Sequence, residues 1–490
     1  MQGDARRNLA AWVVIVVASV VMAMAPRGDD AAVDRPGGGP AEAGSEKIDD
    51  RVAVRVGLSA QQMIMLKIIN GLTSEDWGPT VRGGLSDIER QLPPVPANSP
   101  GDAVGQAVLL ARLGKVELAA KKVDALLEGI DDGVYRCDPD ERRVVEDARD
   151  AIRALESPAP DRIDDDRAER LRAALGPAGD TLVAMARGDA PALAAFAQSG
   201  ILALGLVMVM LIGGGFVALG GLVALVLFVV MAAIGKVPGA YPPGAPAPPA
   251  SVFAEVFAAW MLAFLAFGRG LGWVLGALED SVAAALPEAA TLALSVAGAF
   301  GATALAMWWG ARRLGGWGAL CAAIGLVRPR VSDLAWGVVT WAMGVCLLVC
   351  GLVVAFVLSA LLGDGAPQPT HPIQELVATG TPMVLAISFF LAAVTAPITE
   401  EIAFRGALYR NLRQWAGRGG PVLAAAAATV ASSVIFAAIH PQGLIFVPVL
   451  GGLAAAFCIS REWTGRITPA IVAHAINNAV IVAINVVLVR

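Results

Sequence analysis

The feature that most constrains this chain is a succession of apolar runs, each long enough to cross about 30 Å of hydrocarbon as a helix. They lie near 200–234, 252–278, 288–309, 334–362, 380–398, 421–439, 443–460 and 470–489. Inside a bilayer the backbone must satisfy its own hydrogen bonds, so such runs fold as helices packed on one another. Composition agrees: 56% of residues are apolar and 16% charged, against about a quarter charged in an ordinary soluble domain. The expected fold is an all-α polytopic membrane bundle of about nine spans, counting an N-terminal anchor. The first run contains Gly213-Gly214-Gly215 and reads as a tilted or broken helix.

Residues 1–25 place Arg6-Arg7 ahead of an apolar stretch that ends in Ala23-Met24-Ala25, the pattern of a secretory signal. Pro26 directly after that site disfavours cleavage, so an uncleaved anchor with a cytoplasmic N-terminus is the preferred reading. Residues 26–51, rich in Gly, Pro, Ala and acid, read as a flexible linker. Residues 52–196 show helical periodicity with charges, and Ala, Leu and Val recur at three- and four-residue spacing on either side of Gly114-Lys115. That is a helical hairpin, like one tetratricopeptide unit without a visible repeat, in a small soluble domain expected on the extracytoplasmic side. Residues 200–370 read as accessory membrane helices with a Pro-rich spacer at 237–249, and 377–490 as a separate core.

Arg312-Arg313, Arg328 to Arg330 and Arg405 to Arg418 are expected at cytoplasmic membrane flanks. The arginines at 312 and 328 bracket an interfacial helix and form no nucleic-acid patch. The cysteines Cys137, Cys321, Cys346, Cys350 and Cys458 are scattered without a CxxC pair and read as packing residues. His371 sits in a polar loop between Pro369 and Pro372 and reads as solvated.

Chemistry is concentrated at the C-terminal end. Ionisable groups at membrane depth are expensive and usually functional, and Glu400, Glu401, Arg405, His440 and His474 all fall in or beside apolar runs. Thr399 is positioned to cap a helix whose first turn holds Glu400 and Glu401. Successive helical residues point about 100° apart, so Arg405 can hold Glu401 at i,i+4 while Glu400 projects elsewhere as an available base. His440 ends an alanine-rich run before Pro441, and His474 shares a helical face with Asn478, continued by Asn485. Singly, each has an ordinary structural account: a helix-terminus carboxylate, a packed histidine, a polar stripe joining helices. Jointly they make a hydrolytic set, with a carboxylate and an imidazole to take a proton from water and an imidazole and an amide to donate to an oxyanion.

The ordered motifs Glu-Glu-x-x-x-Arg, Phe-x-x-x-His and His-x-x-x-Asn resemble the signature of the CAAX-processing, bacteriocin-immunity type intramembrane endopeptidases (the CPBP or ABI family, which takes in CAAX prenyl protease 2 and lysostaphin resistance protein A types). The resemblance covers roughly residues 380 to 485. It implies that Glu400 and His440 activate water, that His474 and Asn478 form the oxyanion site, and that Glu401 with Arg405 support them. A metal-free reaction is preferred, with zinc held by Glu400, His440 and His474 as the other account, since the HExxH arrangement is absent. The implied partners are a membrane-associated protein or peptide substrate, the lipid bilayer, and a protein partner for residues 52–196. The competing class is a non-catalytic polytopic protein, transporter-like or an immunity factor, that uses these residues for packing or partner binding. Hydropathy alone raises one conflict: a full crossing by 421–439 puts His440 on the membrane face opposite Glu400.

Overall fold

The computed structural model describes residues 2–23, 51–57, 60–72, 95, 99–156, 159, 162–237, 248–277, 288–362, 376–377, 380–440 and 442–489. The anticipated linker at 26–51, most of the spacer at 237–249, His371 and Pro441 lie outside these residues, apart from Arg51 and the spacer ends. The described chain is almost wholly helical, and eight helices are long and apolar enough to cross a membrane. It is a polytopic helical membrane protein. It divides into two compact units, one of residues 1–35 and 212–484, the other of 36–211 and 485–490.

The second unit is a helical domain. Helices α2 (Ala60–Leu72), α3 (Asp102–Arg112), α4 (Val116–Asp131), α5 (Pro139–Ala154), α6 (Asp165–Leu175) and α7 (Pro177–Arg187) surround a core that includes Val104, Val108, Leu126, Ile152, Leu171 and Leu182. The anticipated hairpin is α3 and α4, turned through Gly114 at φ +80°, a left-handed conformation that favours glycine. Starts are written locally: Asp138 accepts from the Asp140 N–H at 2.9 Å ahead of Pro139, and Asp164 accepts from the Arg167 N–H at 2.8 Å. A short parallel pair, β1 (Ala53–Val54) with β2 (Arg136–Cys137), is an addition to the all-helical expectation. Inside the hairpin, buried Lys122 donates to Gln106 Oε1 at 2.8 Å.

The first unit holds the membrane helices. In chain order these are α1 (Gln2–Ala23), α8 (Ala190–Ala233, from Ile212 onward), α9 (Ala250–Ala277), α10 (Glu288–Leu314), the short α11 (Trp317–Ile324), α12 (Val331–Leu362), α13 (Pro382–Trp415), α14 (Pro421–Ala438), α15 (Val447–Thr464) and α16 (Thr468–Val489, to Ile484). Helix α8 is continuous through Gly213 to Gly215. The N-terminal segment forms a helix whose Ala11, Ile15 and Ala18 are buried in a cluster with Phe257 and Met261 of α9.

Accessory helices and core helices fall in one compact unit. The reason is packing. Helices α12 and α15 approach so closely that a Cβ on Gly351 would lie 2.3 Å from the Pro448 carbonyl oxygen and one on Gly452 2.6 Å from that of Leu347. Phe257 of α9 meets Phe404 of α13 edge-on at 5.0 Å.

Burial pushes the Lys122 ammonium down to about 8 from 10.5. The folded form then releases its proton first, so between these values the unfolded chain binds more protons and stability rises with pH. Urea unfolding of this domain should therefore show stability increasing from about pH 8 toward 10.5, and Lys122→Met should flatten that slope. A slope unchanged by Lys122→Met would contradict the assignment.

Candidate active site

Four helices build the site, and α13 supplies most of its charge. Thr399 does not start a helix: α13 begins at Thr381, whose hydroxyl accepts from the Val384 N–H, and Thr399 lies in mid-span donating to the Thr395 carbonyl at 2.9 Å. Glu400 and Glu401 thus sit deep in a 34-residue helix, away from any helix terminus.

That placement resolves the conflict over His440. From Glu400 to Trp415 the helix runs on for roughly 22 Å, and from Pro421 to His440 the chain returns for roughly 28 Å, at about 1.5 Å per residue. The two arms of the α13–α14 hairpin bring His440 back near the depth of Glu400. The His440 Nε2 and the Glu400 Oε2 are 4.0 Å apart, and the His474 Nε2 is also 4.0 Å from that oxygen. The Glu400 and His440 side chains are each 22% exposed, and the Glu400 Oε2 atom between the rings is buried.

Arg405 and Arg413 are buried, each with a carboxylate partner inside the bundle. Arg405 donates to the Glu401 Oε1 at 2.9 Å and to the Ala454 carbonyl of α15 at 3.0 Å, with both pair members at 0% exposure. The rings of Phe436 and Phe457 lie 4.8 and 4.9 Å from the guanidinium carbon, and that of Phe404 5.8 Å. Arg413 donates to Glu462 at 2.7 Å, and Tyr409 donates to the same oxygen at 2.9 Å.

The imidazoles are oriented by acceptors. A carbonyl or carboxylate oxygen has no proton to give, so a ring nitrogen facing one must be the donor. The His440 Nδ1–H donates to its own helix, to the Phe436 carbonyl at 2.6 Å. The His474 Nδ1–H donates to the Glu401 Oε1 at 3.0 Å, the oxygen that Arg405 also holds. Both Nε2 atoms are thereby left for Glu400 and whatever lies beside it. His474 also stacks on Phe457 at 5.3 Å. Asn478 shares α16 with His474; its amide donates to the Ala392 carbonyl at 2.8 Å, and its oxygen accepts from Asn477 at 3.3 Å. Glu400, His440 and His474 are thus brought together, whereas Asn478 is anchored on the α13 backbone.

Residues 382–480 match the family model described as type II CAAX prenyl endopeptidase Rce1-like. Glu400, Glu401, Arg405, His440, His474 and Asn478 all fall inside that matched segment. The chain is also 26% identical over 155 residues to the membrane-embedded CAAX protease MroQ of Staphylococcus aureus (strain USA300), an alignment covering 32% of this chain. It spans 59% of the length of that relative. No solved structure matches the chain significantly.

Sequence reasoning missed the His474–Glu401 bond, the phenyl cage of Arg405 and the Tyr409–Glu462–Arg413 cluster. The last had a signal: Tyr409 and Arg413 are one turn apart, with Glu462 in a later apolar run.

As arranged, the donors do not fit zinc. Tetrahedral ligands at about 2.0–2.1 Å from a metal stand roughly 3.4 Å from one another, whereas the Glu400 oxygen is 4.0 Å from either imidazole. Among the described residues no group of three or more His, Cys, Asp or Glu has the geometry to hold a metal.

Removing one member of a buried ion pair strands the other charge, at about 3–5 kcal/mol. Arg405→Ala should lower the thermal unfolding temperature in detergent sharply, and Arg405→Lys, which keeps the charge but loses the planar fork, by less. An unfolding temperature equal to wild type for Arg405→Ala would contradict the clamp.

Proposed function

We propose that the chain is an intramembrane endopeptidase that hydrolyses a peptide bond of a membrane-associated protein or peptide with water activated by Glu400 and His440. The observation that carries the reading is the single Glu400 oxygen standing 4.0 Å from two Nε2 atoms. One water bridges such gaps, because two hydrogen bonds of about 2.8 Å bent at the water span that distance. The Rce1-like match supports the peptidase class.

In this reading Glu400 takes a proton as the water oxygen attacks the scissile carbonyl carbon, and the carbonyl electron pair moves onto oxygen. His440 presents the Nε2 lone pair to the same water, its tautomer being set by the Phe436 carbonyl. His474, when protonated, donates from Nε2 to the oxyanion, with Asn478 as the second donor. The carbon–nitrogen bond then breaks as the leaving amine recovers the proton from Glu400. With Arg405 offsetting Glu401, a protonated His474 balances Glu400, so the buried cluster carries little net charge at that stage. No step runs through a metal.

The soluble domain is proposed to lie on the extracytoplasmic side and to recruit substrate or a protein partner. Substrates bearing a C-terminal prenyl group are one class consistent with the family description.

Glu400→Gln and His440→Ala should each lower kcat by a factor of about 100 or more while leaving the unfolding temperature close to wild type, measured on an internally quenched peptide in lipid nanodiscs. Glu400→Gln with wild-type turnover would sink the mechanism. Strong chelators should leave the rate unchanged; loss of activity restored by added zinc would overturn the metal-free account.

A further inference from the structure

Helix α13 is not α-helical throughout. Residues Leu391–Thr395 and Ile402–Leu408 are π-helical and bracket the glutamate pair. At the first of these the Ala396 N–H reaches back five residues to the Leu391 carbonyl. By the same step the Ala392 carbonyl would be served by position 397, which is a proline without an N–H. An unserved carbonyl in a bilayer is costly and takes a partner from a neighbouring helix. Here that partner is the Asn478 amide at 2.8 Å.

This contact fixes more than position. A carbonyl accepts only, so the amide nitrogen of Asn478 must face Ala392, and the Asn478 oxygen is engaged by the Asn477 amide at 3.3 Å. With one N–H and the oxygen committed, the second Asn478 N–H has one direction left. Asn477 is itself buried, which limits alternative arrangements.

We propose that Pro397 is a positioning residue: by withholding a backbone N–H it leaves the Ala392 carbonyl for Asn478, which aims the remaining amide N–H at the developing oxyanion. The inference rests on the peptidase reading above and adds to it the origin of the Asn478 orientation. It also ties the π-helical segment to function, since only this backbone irregularity exposes the acceptor.

The test is Pro397→Ala, alone and combined with Asn478→Ala, in the full chain in nanodiscs. The probes are an internally quenched farnesylated CAAX peptide and the same peptide without the farnesyl group. Alanine restores the N–H and is a better helix former, so a merely structural proline predicts unchanged activity and equal or higher stability. The proposal instead expects kcat to fall by about tenfold to a hundredfold, with KM unchanged, as for an interaction made only in the transition state. Asn478→Ala should show the same split. In the Asn478→Ala background Pro397→Ala should have little further effect, because both act through one amide. Wild-type kcat in Pro397→Ala, or effects that multiply in the double variant, would overturn the proposal. Pro397→Ser serves the same test should the alanine variant fail to fold. A wild-type protein that cleaves neither probe, or a Glu400→Gln variant that remains active, would instead overturn the peptidase reading beneath it.

Discussion

The bonds that Arg405 and His474 make to one oxygen of Glu401 organise the rest of the site. A carboxylate and a guanidinium, both fully buried, are tolerated among apolar helices only when paired with each other and with further polar groups. Here Arg405 finds the Ala454 carbonyl and Glu401 finds the His474 ring. Helices α13, α15 and α16 are thereby joined at one depth by directional bonds, and the phenyl rings of Phe404, Phe436 and Phe457 bring in α14 as well. Non-directional apolar packing between lipid-solvated helices would leave their rotation and register far less determined.

From that junction the disposition of the other groups follows. Adjacent helical positions diverge by about 100°, so once Arg405 fixes Glu401, Glu400 must face another sector, where the two imidazoles converge. Each imidazole spends its Nδ1–H on an internal acceptor and turns Nε2 toward Glu400. The Nδ1 atom of each ring thus has an assignment set by a neighbour that can only accept. The proline at 397 extends this logic to the backbone, where a missing donor creates an acceptor for Asn478.

Much of this was legible in the sequence. The spacing of Glu400, Glu401 and Arg405 is enough to separate a held carboxylate from an available one, and the shared face of His474 and Asn478 needs only the helical period. The span positions follow from hydropathy because the bilayer forces every crossing segment into regular structure. The Thr399 cap failed because hydropathy marks where an apolar run pauses, and a pause was taken for a helix start. The charges of Glu400, Glu401 and Arg405 ended the run on paper, so Thr399 became a helix cap and a full crossing by 421–439 conflicted with a shared site for Glu400 and His440. In the structure Arg405 pairs with Glu401 inside one long helix, and Glu400 faces the two imidazoles. The π-helical segments were not legible either, since Pro397 alone does not say whether a helix will end, kink or widen. The close contacts of Gly351 and Gly452 between accessory and core helices do not register in hydropathy.

The central claim is that one carboxylate serves two imidazoles whose Nε2 atoms are turned to it. The chain has three histidines, so selective nitrogen labelling of histidine gives a spectrum that can be assigned by replacing each in turn. Solid-state nitrogen NMR of the protein in bilayers should show the proton on Nδ1 in both neutral His440 and neutral His474. Glu400→Gln should move the Nε2 resonances of both rings, while Glu401→Gln moves chiefly Nδ1 of His474. Protons on Nε2 in the neutral rings, or Nε2 resonances indifferent to Glu400→Gln, would contradict the account.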